Sequence, residues 1–145
     1  MQNDLISLVK LDTVHLYIDY KKKILFFDVL TSNYSKDDSI TVLEYFKNFW
    51  LLAYEQDVKY YLVIKINSIG IYPLSFYNNL IDCLFKLNNI LSTNLHSCCF
   101  LSNDNNPLII LKPLFNSYTF IRPYTVCSTY EEVLLFFNKP ENQIK

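Results

Sequence analysis

The stretch LVIKINSIGIYPLSFYNN, residues 62–79, decides the fold. It continues a run that begins at Tyr60, and Tyr60–Ile66 is apolar on both parities except at Lys65. A strand with one face in water alternates apolar and polar residues, so a strand apolar on both parities belongs mid-sheet with both faces covered. Pro73 then suits a first helical turn, because its fixed φ is already helical. Behind it Tyr77, Leu80, Ile81, Leu84, Leu87 and Leu91 recur at helical spacing. Strand, turn and amphipathic helix in that order make the first part of a parallel β-α-β unit. Ser75 falls where the helix begins, either as a helix-starting residue or as an exposed switch.

Upstream, Val14, Leu16, Ile18 and Tyr20 alternate with His15, Tyr17 and Asp19, and Lys21-Lys22-Lys23 separates them from the apolar run 24–30. This pattern predicts a β-hairpin. Residues 31–39 read as a polar connection, and Thr41 with Glu44 has capping-box spacing ahead of a first helix carrying Val42, Leu43, Phe46, Phe49, Trp50 and Ala53 and ending near Gln56. Downstream, residues 97–101 read as a strand, the Asn-Asp-Asn-Asn run at 103–106 as a turn, and Pro107 as the start of a short third helix that Pro113 bends or ends. Residues 124–127 read as a last strand, and Ser128 with Glu131 as the capping box of a last helix.

The predicted order is therefore β-β-α-β-α-β-α-β-α, one α/β domain over residues 1–145 with loose ends at 1–12 and 139–145. Its single mixed sheet has about five strands, and short right-handed crossovers place the helices mainly on one face. The opposite face, apolar on both parities in 24–30 and 60–66, is expected to be an open patch.

Composition narrows the function classes. Half the 145 residues are apolar and 17% aromatic, with 19% charged, so the chain buries a core and is not disordered. A net charge of −1 with interspersed signs lacks the positive field that gathers phosphate backbones, so nucleic acid is not expected as a partner. No apolar run reaches the length of a membrane span and the N-terminus lacks a secretory pattern, which points to a cytoplasmic protein. Cys83, Cys98, Cys99 and Cys127 lie in apolar stretches without metal-ligand spacing and read as core thiols. Single alanine, glycine and arginine residues among many Asn, Lys, Ile, Tyr and Phe point to an AT-rich genome. One glycine also excludes the Gly-rich phosphate loops, and no cofactor or metal site is expected.

The strand Leu62-Val63-Ile64-Lys65-Ile66 leading to a turn and a helix near Ser75, with the closing Tyr124-Thr125-Val126 strand and the helix around Glu131-Glu132-Val133, resembles the STAS domain of anti-sigma-factor antagonists. The resemblance runs from about Val14 to Phe137 and implies the same element order. In that family a strand of this kind ends in an Asp-Ser-Ser-Gly turn, and the alignment lays Pro73-Leu74-Ser75-Phe76 on it. Ser75 then falls on the regulatory phospho-acceptor serine, while the other three motif positions differ. The resemblance implies a non-enzymatic regulatory module that binds a protein partner or a second copy of itself.

The residues expected to carry such binding are Tyr72, Pro73 and Phe76 around Ser75, together with Tyr17 and Lys65 on the sheet. Tyr54 and Tyr61 join them as candidate interface tyrosines, since tyrosine buries area cheaply at interfaces. Lys65 reads either as a lysine paired with an acid or as an amine activated by burial. His15 and His96 have no carboxylate at a diagnostic spacing. A carrier of a small apolar or nucleotide ligand between sheet and helices is the alternative, and a structural subunit of an assembly a further one.

Overall fold

The computed structural model describes residues 5–31, 33–66, 73–102 and 122–144. Expectations that fall on Tyr72, on the 103–106 turn and on the helix after Pro107 lie outside them. The fold is α/β, and among the described residues six strands form one mixed sheet whose spatial order is the order of the chain. Strands β1 (Leu5–Lys10), β2 (Val14–Asp19) and β3 (Ile24–Val29) form an antiparallel meander; β4 (Tyr60–Ile66), β5 (Leu95–Leu101) and β6 (Tyr124–Cys127) extend it in parallel. Four α-helices occur among the described residues: α1 (Lys36–Gln56), α2 (Leu74–Lys86), α3 (Asn88–Asn94) and α4 (Tyr130–Phe137).

β4 is central, as its double apolar parity requires. Its even positions Tyr60, Leu62, Ile64 and Ile66 face a first core, together with Leu16 and Ile18 of β2, Phe27 of β3 and Phe100 of β5. Its odd positions Tyr61 and Val63 face a second core with Ile24, Phe26, Cys99 and Leu101. Helices α1, α2 and α3 close the first core. Strands added one after another in a single direction, with crossovers of one hand, place the intervening helices on one side.

Trp50 of α1 anchors that side. It is fully buried, with ring centroids 6.1 Å from Phe46, 5.2 Å from Phe49 and 6.4 Å from Tyr60. Its indole N–H has no hydrogen-bond partner among the described residues. That omission costs about 1–3 kcal/mol, whereas burying roughly 200 Å² of ring stabilises by about 5 kcal/mol, so the apolar contribution wins.

Several expectations are corrected. Among the described residues the sheet has six strands and not five, because Leu5–Lys10, expected to be loose, pairs with β2 as an edge strand. A register shift between Ser7 and Val9 breaks its alternation, so LISLVK shows no clean period of two. Helix α1 begins five residues before Thr41: the Ser35 hydroxyl accepts from the Asp38 N–H at 3.2 Å, and Asp37 and Asp38 lie at the positive end of the dipole. The Asp38 carboxylate in turn accepts from the Thr13 hydroxyl at 2.7 Å, tying the helix start to the β1–β2 turn.

The last helix is capped one residue later than expected, by Thr129, whose hydroxyl accepts from the Glu132 N–H. The open sheet face is also overturned. Val133 and Phe137 of α4 pack into the second core, Phe137 stacking on Tyr61 at 4.2 Å. The tail is not loose either. Residues Pro140–Asn142 form a 3₁₀ turn, and the Ile144 N–H donates to the Tyr61 hydroxyl at 2.9 Å.

The join of α1 to β4 is built by a left-handed residue, Asp57 (φ 55°). Its N–H donates to the Tyr54 carbonyl and that of Val58 to Ala53, which is the Schellman arrangement. Buried Asn94, at the end of α3, donates from its amide to the carbonyls of Ala53 and Val58, so the turn into the central strand is locked from the side.

Candidate functional site

The predicted site residues separate into two groups on opposite faces of the sheet. Pro73 is the N-cap of α2, Ser75 is exposed in its first turn, and the Phe76 N–H closes on the Pro73 carbonyl at 3.0 Å. The Phe76 ring is half-buried against the first core, edge-on to Tyr34 at 6.0 Å. Tyr17 and Lys65 lie together on the second face, where the Lys65 ammonium donates to the Tyr17 hydroxyl at 3.3 Å. The sheet therefore separates the Ser75 group from Tyr17 and Lys65.

Around Lys65 the register builds a polar row. His15 pairs with Asp28 across β2–β3, and Asp28 with Lys65 across β3–β4, so three titratable residues stand side by side on three strands. The Lys65 ammonium lies 3.5 Å from the Asp28 carboxylate. Burial weakens this ammonium's hold on its proton, but Tyr17 and Asp28 outweigh it and the pKa is raised. Lys65 is therefore charged at neutral pH, which removes it as an amine nucleophile.

Attraction at that separation is about 5 kcal/mol in an effective dielectric of 20, and desolvating two ions costs several kcal/mol each. The net stabilisation by the pair is therefore small. On the other side of the row, Oγ of exposed Ser7 and Nε2 of half-buried His15 lie 3.0 Å apart, across the irregularity in β1. Burial, then Lys10, lowers the His15 pKa. A serine–histidine contact becomes a nucleophile–base pair when an orienting group and oxyanion donors face it in a cleft. Here Asp28 is engaged by Lys65, and the contact reads as cross-strand bracing of the edge.

No group of three or more His, Cys, Asp or Glu side chains able to hold a metal ion occurs among the described residues. Between the sheet and helices α1 and α2, the cavity bounded by Phe27, Ser39, Val42 and Phe76 measures about 20 Å³, room for one water and not for a ligand. No helix among the described residues is long and apolar enough to cross a membrane.

Sequence reasoning missed the outer surface of α1. Val42, Phe46, Trp50 and Ala53 use its inner stripe, yet the opposite side exposes Ile40 (52%), Tyr45, Leu51, Leu52 (50%) and Tyr54 (56%). Beside it, a cleft of about 290 Å³ runs between α1 and α2, lined by Ile40, Leu43, Glu44 and Lys47 on one wall and Asp82, Cys83 and Lys86 on the other. Of the interface tyrosines, Tyr54 is on this surface, whereas Tyr61 is buried under α4. The signal was present: a 21-residue helix with apolar residues on every side carries more than one core face needs. No family model, curated protein or solved structure matches the chain.

Proposed function

We propose that the chain is a non-enzymatic, STAS-like interaction module whose docking surface is the helical layer, centred on α1. The observation that supports this is the distribution of exposed apolar residues. Both apolar faces of the sheet are closed by the chain's own helices. Meanwhile α1 alone leaves five large apolar side chains in water. Ile40, Leu51 and Tyr54 lie along one flank of the helix and Tyr45 and Leu52 along another, a density of exposed apolar area on one element that favours a surface binding another protein.

Ser75 belongs to the same layer, exposed at the start of α2. A phosphate there would meet the positive dipole end of a 13-residue helix. In this reading α1 supplies the contact and Ser75 adjusts it.

The test is affinity capture from lysate of the expressing cells with wild type, Leu52→Asp and Ser75→Glu as baits, each checked for native circular dichroism. The expected result is a defined partner that Leu52→Asp loses and Ser75→Glu retains in altered amount. Identical recovery by wild type and Leu52→Asp would overturn α1 as the docking face, and identical recovery by Ser75→Glu would overturn the switch.

A further inference from the structure

The exposed stripe of α1 that borders the α2 cleft reads Lys36, Ile40, Glu44, Lys47, Leu51, Glu55, at spacings of four, four, three, four and four residues. These spacings keep all six on one side of the helix. In chemical terms the stripe is cation, aliphatic, anion, cation, aliphatic, anion. Reversed in direction, each charge falls opposite its counter-charge and each aliphatic residue opposite another. The sequence of charges is its own complement only in the antiparallel sense.

We infer that the partner of this stripe is a second copy of the same chain, docked α1 against α1 about a two-fold axis that passes between Glu44 and Lys47. The inference rests on the reading of α1 as the docking face and names its occupant. In this arrangement Lys36 faces Glu55 of the second copy, Ile40 faces its Leu51, and Glu44 faces its Lys47, each contact occurring twice. A patch that repeats its own complement under two-fold rotation is what an isologous dimer requires. A parallel pairing would put Glu44 against Glu44 and Lys47 against Lys47, and is excluded by charge.

Exposure agrees with the assignment. Ile40 is 52% and Leu51 39% exposed, Lys36, Glu44 and Glu55 are exposed around them and Lys47 is half-buried at the cleft wall, an aliphatic pair inside a charged rim. A 21-residue helix is about 30 Å long and 10 Å wide, a footprint that places the contact in the small, transient class. High salt weakens such a dimer, because its register is set by exposed charges.

The test is sedimentation equilibrium of the full chain across a wide micromolar range, at low and high salt. Four proteins are compared: wild type, Glu44→Lys, Lys47→Glu, and the double reversal Glu44→Lys/Lys47→Glu. Wild type is expected to pass from monomer to dimer. Each single reversal sets like charges face to face and is expected to weaken association about tenfold or more. The double reversal restores opposite charges at both contacts and is expected to recover the dimer. Thermal melts keep folding separate, since a reversed charge on an exposed helix face changes intrinsic helix stability by only tenths of a kcal/mol.

A monomer at every wild-type concentration overturns the self-pairing, as does a dimer that single reversals leave intact or the double reversal fails to restore. Those failures differ from failure of the docking face itself, which is read by the loss or retention of captured partner with Leu52→Asp.

Discussion

The two faces of the sheet are both apolar and both buried, yet they are closed by different means. On the first, α1, α2 and α3 lie within or between crossovers, so the connections that make the sheet parallel also cover it. On the second, cover comes from eight-residue α4 and a short C-terminal turn, held by Phe137 on Tyr61 and by the Ile144 N–H on the Tyr61 hydroxyl. The first face is therefore expected to open only with the fold itself, whereas the second is expected to lose its cover and leave the sheet in place.

Truncating one anchor on each side gives the sharpest test. Trp50→Ala is expected to cost about 4–5 kcal/mol and to unfold most of the chain near physiological temperature, read by chemical denaturation. Phe137→Ala is expected to cost about 3 kcal/mol and to act locally, releasing α4 and raising apolar-dye binding while the near-ultraviolet signal of Trp50 persists. If both variants unfold in one indistinguishable transition, the two faces are a single cooperative unit and the contrast is lost.

A smaller effect is expected at the polar row. Lys65→Met removes the cation beside the buried Asp28 carboxylate and should destabilise by about 2 kcal/mol. Adding Asp28→Asn should recover part of that loss, because the remaining partner no longer carries a buried charge. A loss of stability in the double variant equal to the sum of the singles would show that the pair is not coupled.

Acid should act at the sheet margin and under the lid. Burial, then Lys10, lowers the His15 pKa; burial, then Arg122 and Lys59, lowers that of His96, whose ring lies edge-on to Tyr61 at 5.7 Å. Both histidines are held neutral in the fold and take up protons more readily when unfolded, so their contribution is present above about pH 6.5 and is lost as pH falls below it. The melting temperature should therefore decline between pH 7.5 and 5.5. The double variant His15→Gln/His96→Gln should flatten that slope; an unchanged slope would assign the acid sensitivity elsewhere.

The smallest change is expected at Asp57, which closes α1 in the left-handed region. Asp57→Gly relieves the backbone there and should stabilise by about 0.5 kcal/mol, since aspartate tolerates this conformation better than most residues. A loss of stability would mean that the carboxylate contributes more than its backbone costs.

The hairpin, the central β4, the apolar stripe expected of one second helix and the last strand were legible because burial imposes a period that the sequence must carry, although the structure divides that helix at Leu87 into α2 and α3. Tyr60–Ile66 could be placed mid-sheet from its parity alone. β1 was not legible, because an irregular edge strand needs neither alternation nor burial. The start of α1 was misplaced because Thr41 and Glu44 offer the same spacing as the cap that forms, and only the Ser35 hydroxyl bonded to the Asp38 N–H decides between them.

Of the candidate site, Tyr17 with Lys65 and Pro73 with Phe76 were named by type, but nothing local says that the sheet separates the two pairs. By itself the sequence determined the central strands and the long helices and placed β4 mid-sheet, since periodicity is a property of neighbours along the chain. Only the tertiary structure decided what covers each side. That choice depends on where α4 lands relative to Tyr61 and Val63, and contacts between residues some 70 positions apart leave no periodic trace. It also decided which apolar residues remain in water, and that distribution is what carries the proposed docking surface to α1.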